Sequence, residues 1–455
     1  MGRLFGTDGV RGVANRDLTP EMAYSIGRAA AYVLHGERTG SVFIGRDTRY
    51  SGDLLFASLS AGLMSMGVDV YDLGVLPTPA VSYLTMEHEV LMSIMISASH
   101  NPYEYNGIKI FNNEGFKLSD EIEKRIEDII IDGIELSNRP SGEDVGRIFD
   151  ASYKIKDYED YILDLCECDL SDKTIALDCG NGALSKIAPE IFNLLGAKTI
   201  AMNTNPDGKN INDNCGSTNP ELISKLVLET NAFMGFSFDG DADRIIAVDE
   251  KGDIIDGDHI LAITAKYLIE RDALPKDTVV GTVMTNMGLD VFMESIGGKV
   301  IKTKVGDRYV LEEMLKSGYT VGGEQSGHII YLDNNTTGDG LATAIQLLNY
   351  ILEMNQLPSE LNGLMKNFPQ VLLNANVKNE NKYKYMEVEE IKMAIAKIEE
   401  KFHKRGRVVI RPSGTEPLVR VMIEGEDKDM IKAEAKNLVN LIEEKLGGTK
   451  VWSES

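Results

Sequence analysis

The stretch SIMISASHNPYEYNGIKIF, residues 93–111, runs an apolar segment into a loop of two serines, a histidine and an Asn-Pro turn, then resumes as NGIKIF. A strand ending in hydroxyls and an imidazole delivers polar groups to a site, because ligands in open α/β sheets bind beyond the carboxyl ends of the strands. The same grammar returns where AFMGFSF meets DGDADR and where YTVGG meets EQSGH. Three such loops could converge on one cleft.

Upstream, LTPEMAYSIGRAAAYVLHG has Thr19 as a helix N-cap and Pro20 at the first helical position. Met22, Ile26, Ala29, Ala30 and Val33 share one face of that helix, and Gly36 is a stop. SVFIG reads as a buried strand, SGDLLFASLSAGLMSMG as a capped helix, VDVYDLG and SIMIS as strands. Strands separated by helices predict a parallel, doubly wound sheet. The pattern restarts at KTIALDCGNGA and at DTVVGTVMTNMG, and after about residue 368 it changes to strand, helix, strand, turn, strand, helix. The expected fold class is α/β, with three related domains of mixed or parallel sheets at 1–152, 153–253 and 254–367 and a small α+β domain at 368–455.

Composition bounds the function. The chain has 455 residues, 43% hydrophobic and 26% charged, enough for three or four domains of about 100–200 residues each. A formal charge of -24 opposes a sequence-independent grip on nucleic acid, which depends on Lys and Arg displacing counterions, and opposes anionic membrane surfaces likewise. A few convergent cations can still hold an anionic small molecule. No apolar run approaches the roughly 18–20 residues of a membrane span, and MGRLFGTDGV carries no signal-like core, so a cytoplasmic protein is expected. Cys166, Cys168, Cys179 and Cys215 lack Cys-x-x-Cys spacing and read as buried reduced thiols. Monomer and homodimer both remain open.

DGDADR crowds Asp239, Asp241 and Asp243 into five residues, and a divalent cation is the simplest neutraliser of their repulsion. A calcium EF-hand fails, because its sixth position would be Arg244 rather than Gly and the flanks GFSF and IIAV are strand-like. Magnesium fits, since it takes few protein carboxylates and completes its shell with water and phosphate oxygens; Arg244 then reads as a phosphate ligand. In ISASHNP a serine hydroxyl at the strand end, Ser99 in preference to Ser97, can be phosphorylated and become the metal's fourth protein ligand, with His100 as an orienter. RPSGTEP combines Arg411, Ser413, Thr415 and the amides around Gly414 into a phosphate cradle, with Arg420 nearby. Glu324, Gln325, Ser326 and His328 suit the hydroxyl or amine edge of a sugar. Lys109 and Arg11 carry weaker signals by pattern alone.

Taken together, FGTDGVRG, ISASHNP with NGIKIF, DGDADR, GGEQSGH and RPSGTEP resemble, in order and spacing, the α-D-phosphohexomutase superfamily along essentially the whole chain. The resemblance implies a heart-shaped four-domain enzyme with one central cleft, one Mg2+ held by Ser99, Asp239, Asp241 and Asp243, and a catalytic phosphoserine at Ser99. It further implies that Glu324 and Ser326 grip sugar hydroxyls, that Arg411, Ser413 and Thr415 bind the distal phosphate, and that Arg11, Arg244 and His328 support the site. Lys109 becomes a candidate for proton transfer, with His100 and His328 as alternatives. Gln325 resembles the loop of the glucosamine-type members. The expected reaction is interconversion of glucosamine 6-phosphate and glucosamine 1-phosphate through a 1,6-bisphosphate, a hexose 1,6-bisphosphate being the expected activator.

Three other readings compete. A mannose or glucose phosphate specificity stays within the superfamily. A magnesium-dependent phosphatase with Asp239 as nucleophile would leave Ser99 dispensable, and it has difficulty with Asp243, where such enzymes usually carry Thr or Val. A sugar-phosphate sensor would bind without isomerising.

Overall fold

The computed structural model describes residues 4–6, 8–35, 40–136, 139–402, 405–413 and 417–447. The first sheet has six strands: β1 (Val10–Val13), β2 (Ser41–Arg46), β3 (Asp69–Val75), β4 (Met92–Ile96), β5 (Tyr105–Asn112) and β6 (Ile148–Asp150), in the order β1-β5-β4-β2-β3-β6. Its central strands are apolar because helices cover them: Val42, Ile44, Met92, Ile94 and Ile96 are fully buried together with Ile26, Leu55 and Leu59 of the helices Pro20–His35 and Gly52–Met64. Burying each such side chain contributes about 1.5–3 kcal/mol relative to leaving it in water.

The second sheet comprises β7 (Thr174–Asp178), β8 (Lys198–Met202), β9 (Met234–Phe238), β10 (Ile245–Val248) and β11 (Ile254–Ile255), ordered β11-β10-β9-β7-β8. The third comprises β12 (Thr278–Thr282), β13 (Lys299–Thr303), β14 (Val321–Gly323) and β15 (Ile329–Tyr331), ordered β13-β12-β14-β15. The last comprises β16 (Gln370–Asn376), β17 (Gly406–Pro412) and β18 (Leu418–Gly425), all antiparallel, backed by the helices Glu389–Lys401 and Lys428–Leu446.

Of the mixed or parallel sheets expected, all three α/β sheets are mixed, so the parallel, doubly wound reading of the first region holds for only part of its sheet. β2, β3, β4 and β6 run parallel, but β5 is antiparallel to both β4 and β1. In the second sheet β10 is antiparallel to β9, and in the third β15 is antiparallel to β14. The cause is local: the polar loops at 97–104, 239–244 and 324–328 hold no helix, so each chain reverses and pairs with the strand it has just left. Every chemistry-bearing loop is therefore the connection of an antiparallel pair, including the one between β17 and β18.

Two smaller expectations also change. Thr19 caps its helix, its Oγ1 accepting from the Met22 amide at 3.3 Å, whereas Ser51 makes no side-chain cap and accepts instead from Asn106 Nδ2 at 2.9 Å. Cys179 and Cys215 are buried, but Cys166 and Cys168 are only half-buried and their sulfurs lie 3.7 Å apart in the loop after the helix Ile155–Asp164. Among the described residues no helix is long and apolar enough to cross a membrane.

The chain divides into two compact units. One runs as far as Leu364 and holds the first three sheets; the other begins at Met365 and includes the segment Asn286–Phe292. That segment is tied into the second unit by Asn286, which donates to the Phe368 carbonyl at 3.0 Å and accepts from the Phe368 amide at 2.9 Å.

Candidate active site

β9 carries the apolar run Met234–Phe238 into the turn of Asp239, Asp241 and Asp243, with Ala242 in the left-handed region at φ 58°. All three carboxylates are buried, and one oxygen from each lies within 4.8 Å of the others. Burial and the charges of Asp243 and Asp241 raise Asp239 well above the usual carboxylate range. Asp241 Oδ1 and Asp243 Oδ1 are buried without a hydrogen-bond partner, which is the donor set of a hard cation left unsatisfied by protein alone.

Ser99 enters this cluster from β4. Its Oγ donates to Asp239 Oδ2 at 2.6 Å and lies 3.2 Å from His100 Nδ1, and its backbone is left-handed at φ 54°. Ser97 faces elsewhere, its hydroxyl donating to Asp47 Oδ2 at 2.7 Å and accepting from the Ser99 amide at 2.9 Å. Burial, then the cations Arg244 and Arg11, push the His100 imidazole down to about 4, so it is neutral near pH 7.

Lys109, on β5, is buried and reaches Asp241 at 2.8 Å and Asp243 and Asp8 at 3.1 Å. Burial alone would lower its pKa, but the three carboxylates prevail and raise it well above the ordinary lysine value. Asp8 also pairs with Arg11 and Lys117, and Lys117 pairs with Asp307. His328 stands 3.8 Å from Asp243 and 3.6 Å from Asp307. Although these acids pull its pKa upward against burial, its Nε2 accepts from the Gly338 amide at 3.0 Å, which requires a neutral ring with the proton on Nδ1. The Arg244 guanidinium lies 3.9 Å from Asp243, and its buried Nε has no hydrogen-bond partner.

The loop after β14 lies against the aspartate turn. Gly327 has φ +90°, its carbonyl accepts from Ile245 at 3.0 Å, and a Cβ there would meet the Ile245 oxygen at 1.8 Å, so only glycine permits the approach. Glu324 Oε1 accepts from the Gly306 amide at 3.1 Å, Gln325 Nε2 donates to Asp256 at 3.3 Å, and Ser326 is exposed. Arg411 and Ser413 belong to the second unit, where Arg411 stands opposite Arg420 in the ladder and the Ser413 amide donates to the Leu418 carbonyl at 2.9 Å. Gly414 and Thr415 lie outside the described residues.

Pattern reading missed several participants. Asp8 lies within FGTDGVRG, three residues before Arg11, where a single acid has no pattern to mark it. Thr78 Oγ1 donates to Asp241 Oδ2 at 2.6 Å from an ordinary helix start. Asp47, Arg49, Lys117 and Asp307 have no motif of their own that separates them from surface charges.

The fold and these contacts define a class of enzyme. Family models described as phosphoglucomutase/phosphomannomutase alpha/beta/alpha domains I, II and III and C-terminal domain match residues 2–136, 156–252, 256–368 and 372–441. The chain belongs to the phosphoglucomutase/phosphomannomutase family and is an isomerase that moves a phosphoryl group. It is 56% identical over 448 residues to the phosphoglucosamine mutase of Alkaliphilus metalliredigens, covering 98% of this chain and 100% of that one. Its fold is similar to a family protein from Burkholderia thailandensis, with TM-score 0.81, 24% identity and coverage of 97% and 98%. It is similar also to the Aspergillus fumigatus N-acetylphosphoglucosamine mutase solved with GlcNAc-6P and magnesium, with TM-score 0.69, 17% identity and coverage of 98% and 96%. Membership implies a metal ion and a phosphoserine, and the unsatisfied oxygens of Asp241 and Asp243 fit the metal.

Proposed function

We propose that this chain interconverts glucosamine 6-phosphate and glucosamine 1-phosphate, with Ser99 as the phosphoryl carrier. The observation that carries the reading is the Ser99 hydroxyl set 2.6 Å from Asp239 inside a buried three-aspartate cluster. The glucosamine preference draws on the name of the relatives and on Gln325. The domain limits 1–152, 153–253, 254–367 and 368–455 are kept with this reading.

Phospho-Ser99 gives its phosphoryl group to the free hydroxyl of the sugar phosphate: the bond from phosphorus to Ser99 Oγ breaks, a bond to the substrate oxygen forms, and the substrate proton passes to a base. The resulting 1,6-bisphosphate turns around and returns its other phosphoryl group to Ser99: the bond from that phosphorus to the sugar oxygen breaks, the bond to Ser99 Oγ forms again, and the base gives its proton to the freed sugar oxygen. One divalent ion held by Ser99, Asp239, Asp241 and Asp243 would supply positive charge to a loose transition state. Arg244 and Arg11 add fixed cations, and such alignment is most of what phosphoryl transfer asks of a protein. His100 is neutral and 3.2 Å from Ser99 Oγ, which suits it to orienting that oxygen, while an imidazole lowered to about 4 is a weak base with which to accept the substrate proton. Lys109 can do so only if Asp241 and Asp243 share their charge with the divalent ion, since those carboxylates otherwise hold the ammonium.

Glu324 and Ser326 are assigned to sugar hydroxyls, with Gln325 and His328 beside them. Arg411, Ser413, Gly414 and Thr415 are assigned to the distal phosphate. Arg411 stands opposite Arg420 in the β17–β18 ladder, which puts two cationic side chains on one face beside this loop, an arrangement suited to an anionic group. A hexose 1,6-bisphosphate would prime Ser99, and the enzyme would act in the cytoplasm as monomer or homodimer.

The test is Ser99→Ala assayed with magnesium and bisphosphate, alongside kcat/KM for glucosamine, mannose and glucose phosphates. Turnover should fall by orders of magnitude and glucosamine should lead. Full activity in Ser99→Ala would reject the carrier, and release of inorganic phosphate with Ser99 dispensable would favour the phosphatase.

A further inference from the structure

Arg49 takes no part in the chemistry above, yet it is fully buried directly beneath the Ser99 loop. A guanidinium has five N–H donors, and here each has its own acceptor. Nε donates to Asp47 Oδ2 at 2.9 Å. Nη1 donates to the carbonyls of Pro102 at 2.5 Å and Tyr105 at 3.0 Å. Nη2 donates to the carbonyls of Ser99 and Asn101, both at 2.8 Å. Three carbonyls of the Ser99 loop and that of the first β5 residue thus converge on a single side chain.

Asp47 closes the arrangement from the other side. Its Oδ1 accepts from the Arg49 amide at 3.0 Å, and its Oδ2 accepts from the Ser97 hydroxyl, whose oxygen in turn accepts the Ser99 amide. The Ser99 peptide is therefore held at both ends: its N–H through Ser97 and Asp47, its carbonyl by Arg49 and by Asn212 Nδ2 at 2.9 Å. Such holding is needed because Ser99 lies at φ 54°, a left-handed conformation that costs a side-chain-bearing residue of order 1–3 kcal/mol and persists only where surroundings over-determine it.

We infer that Arg49, with Asp47, is the positioning pair that locks the Ser99 peptide in its left-handed conformation and so aims Oγ at the aspartate cluster. The inference rests on the reading of Ser99 as phosphoryl carrier. Lysine cannot replace the arginine, since three donors on a flexible stem cannot span five acceptors.

The experiment compares Arg49→Lys, Ser99→Ala and the unaltered enzyme at saturating magnesium and glucose 1,6-bisphosphate, with melting temperature and intact mass measured on each. Misplacing a reacting oxygen by about 1 Å costs about 100-fold. Arg49→Lys should therefore lose about 100-fold in kcat per folded molecule, keep KM within about 3-fold, and acquire the Ser99 phosphoryl group correspondingly slowly. A purely structural role would lower the melting temperature and leave kcat per folded molecule within about 3-fold; that result, with Ser99→Ala inactive, overturns the inference and leaves the carrier standing. An active Ser99→Ala removes the carrier and the inference together. If Arg49→Lys does not fold, Asp47→Asn carries the same readings.

Discussion

At the scale of single residues, the candidate site concentrates what folded proteins ordinarily avoid. Ser99 and Ala242 are left-handed, two carboxylate oxygens are buried without partners, and a lysine is sealed among three acids. Each is unfavourable alone and sensible together if a divalent cation and a phosphoryl group belong there. Asp241 is the most informative position, because Oδ2 is already engaged by Thr78 and Lys109 while Oδ1 has nothing. Asp241→Asn should weaken Mg2+ binding by at least ~10-fold in a calorimetric titration, since the amide carries no charge to offer. Pattern reading could name the triad because three acids in five residues are visible in any sequence. Asp8, Asp47 and Arg49 escaped it because an isolated charge acquires meaning only from what folds against it.

At the scale of elements, strands and helices were legible where periodicity was strong, as in Pro20–His35 and Ser41–Arg46. The sense of β5, β10 and β15 was not, because an apolar run has no direction written into it. Direction came from the loops, too short to house a crossover. Caps show the same division: Thr19 was recognised, whereas Asp339, which caps the helix Gly340–Glu353 by accepting from the Ala342 amide at 3.0 Å, went unremarked. Burial raises Asp339 to about 6, against hydrogen bonds from Ala342, Tyr158 and Asn335. An acid raised in the folded state stabilises most below its unfolded pKa, and the benefit is lost as pH rises through the folded value. Asp339 should thus contribute a decline on the order of 3 kcal/mol between about pH 4 and 6. Urea unfolding of Asp339→Asn across that window should show a correspondingly shallower slope.

At the scale of the whole molecule, charges far apart in the chain neutralise one another inside it. Lys117 joins Asp8, near the amino terminus, to Asp307, which begins the helix Asp307–Ser317 of the third α/β region. Removing one partner of a buried pair leaves uncompensated charge, so Lys117→Met should lower stability by about 3 kcal/mol, read from denaturant unfolding of the full chain. Little change in the transition midpoint would show that water already screens the pair.

By itself the sequence determined the α/β class, the terminal α+β region and the residue types at each loop, because burial periodicity and side-chain chemistry are local properties of the chain. The sequence also favoured Ser99 over Ser97; only the tertiary structure decided that Ser97 turns to Asp47, that Lys109 is held as an ammonium, and that Arg49 ties down the loop that carries Ser99. Those outcomes depend on which distant groups share a buried space, where a few ångströms of separation and the exclusion of water set both charge state and direction.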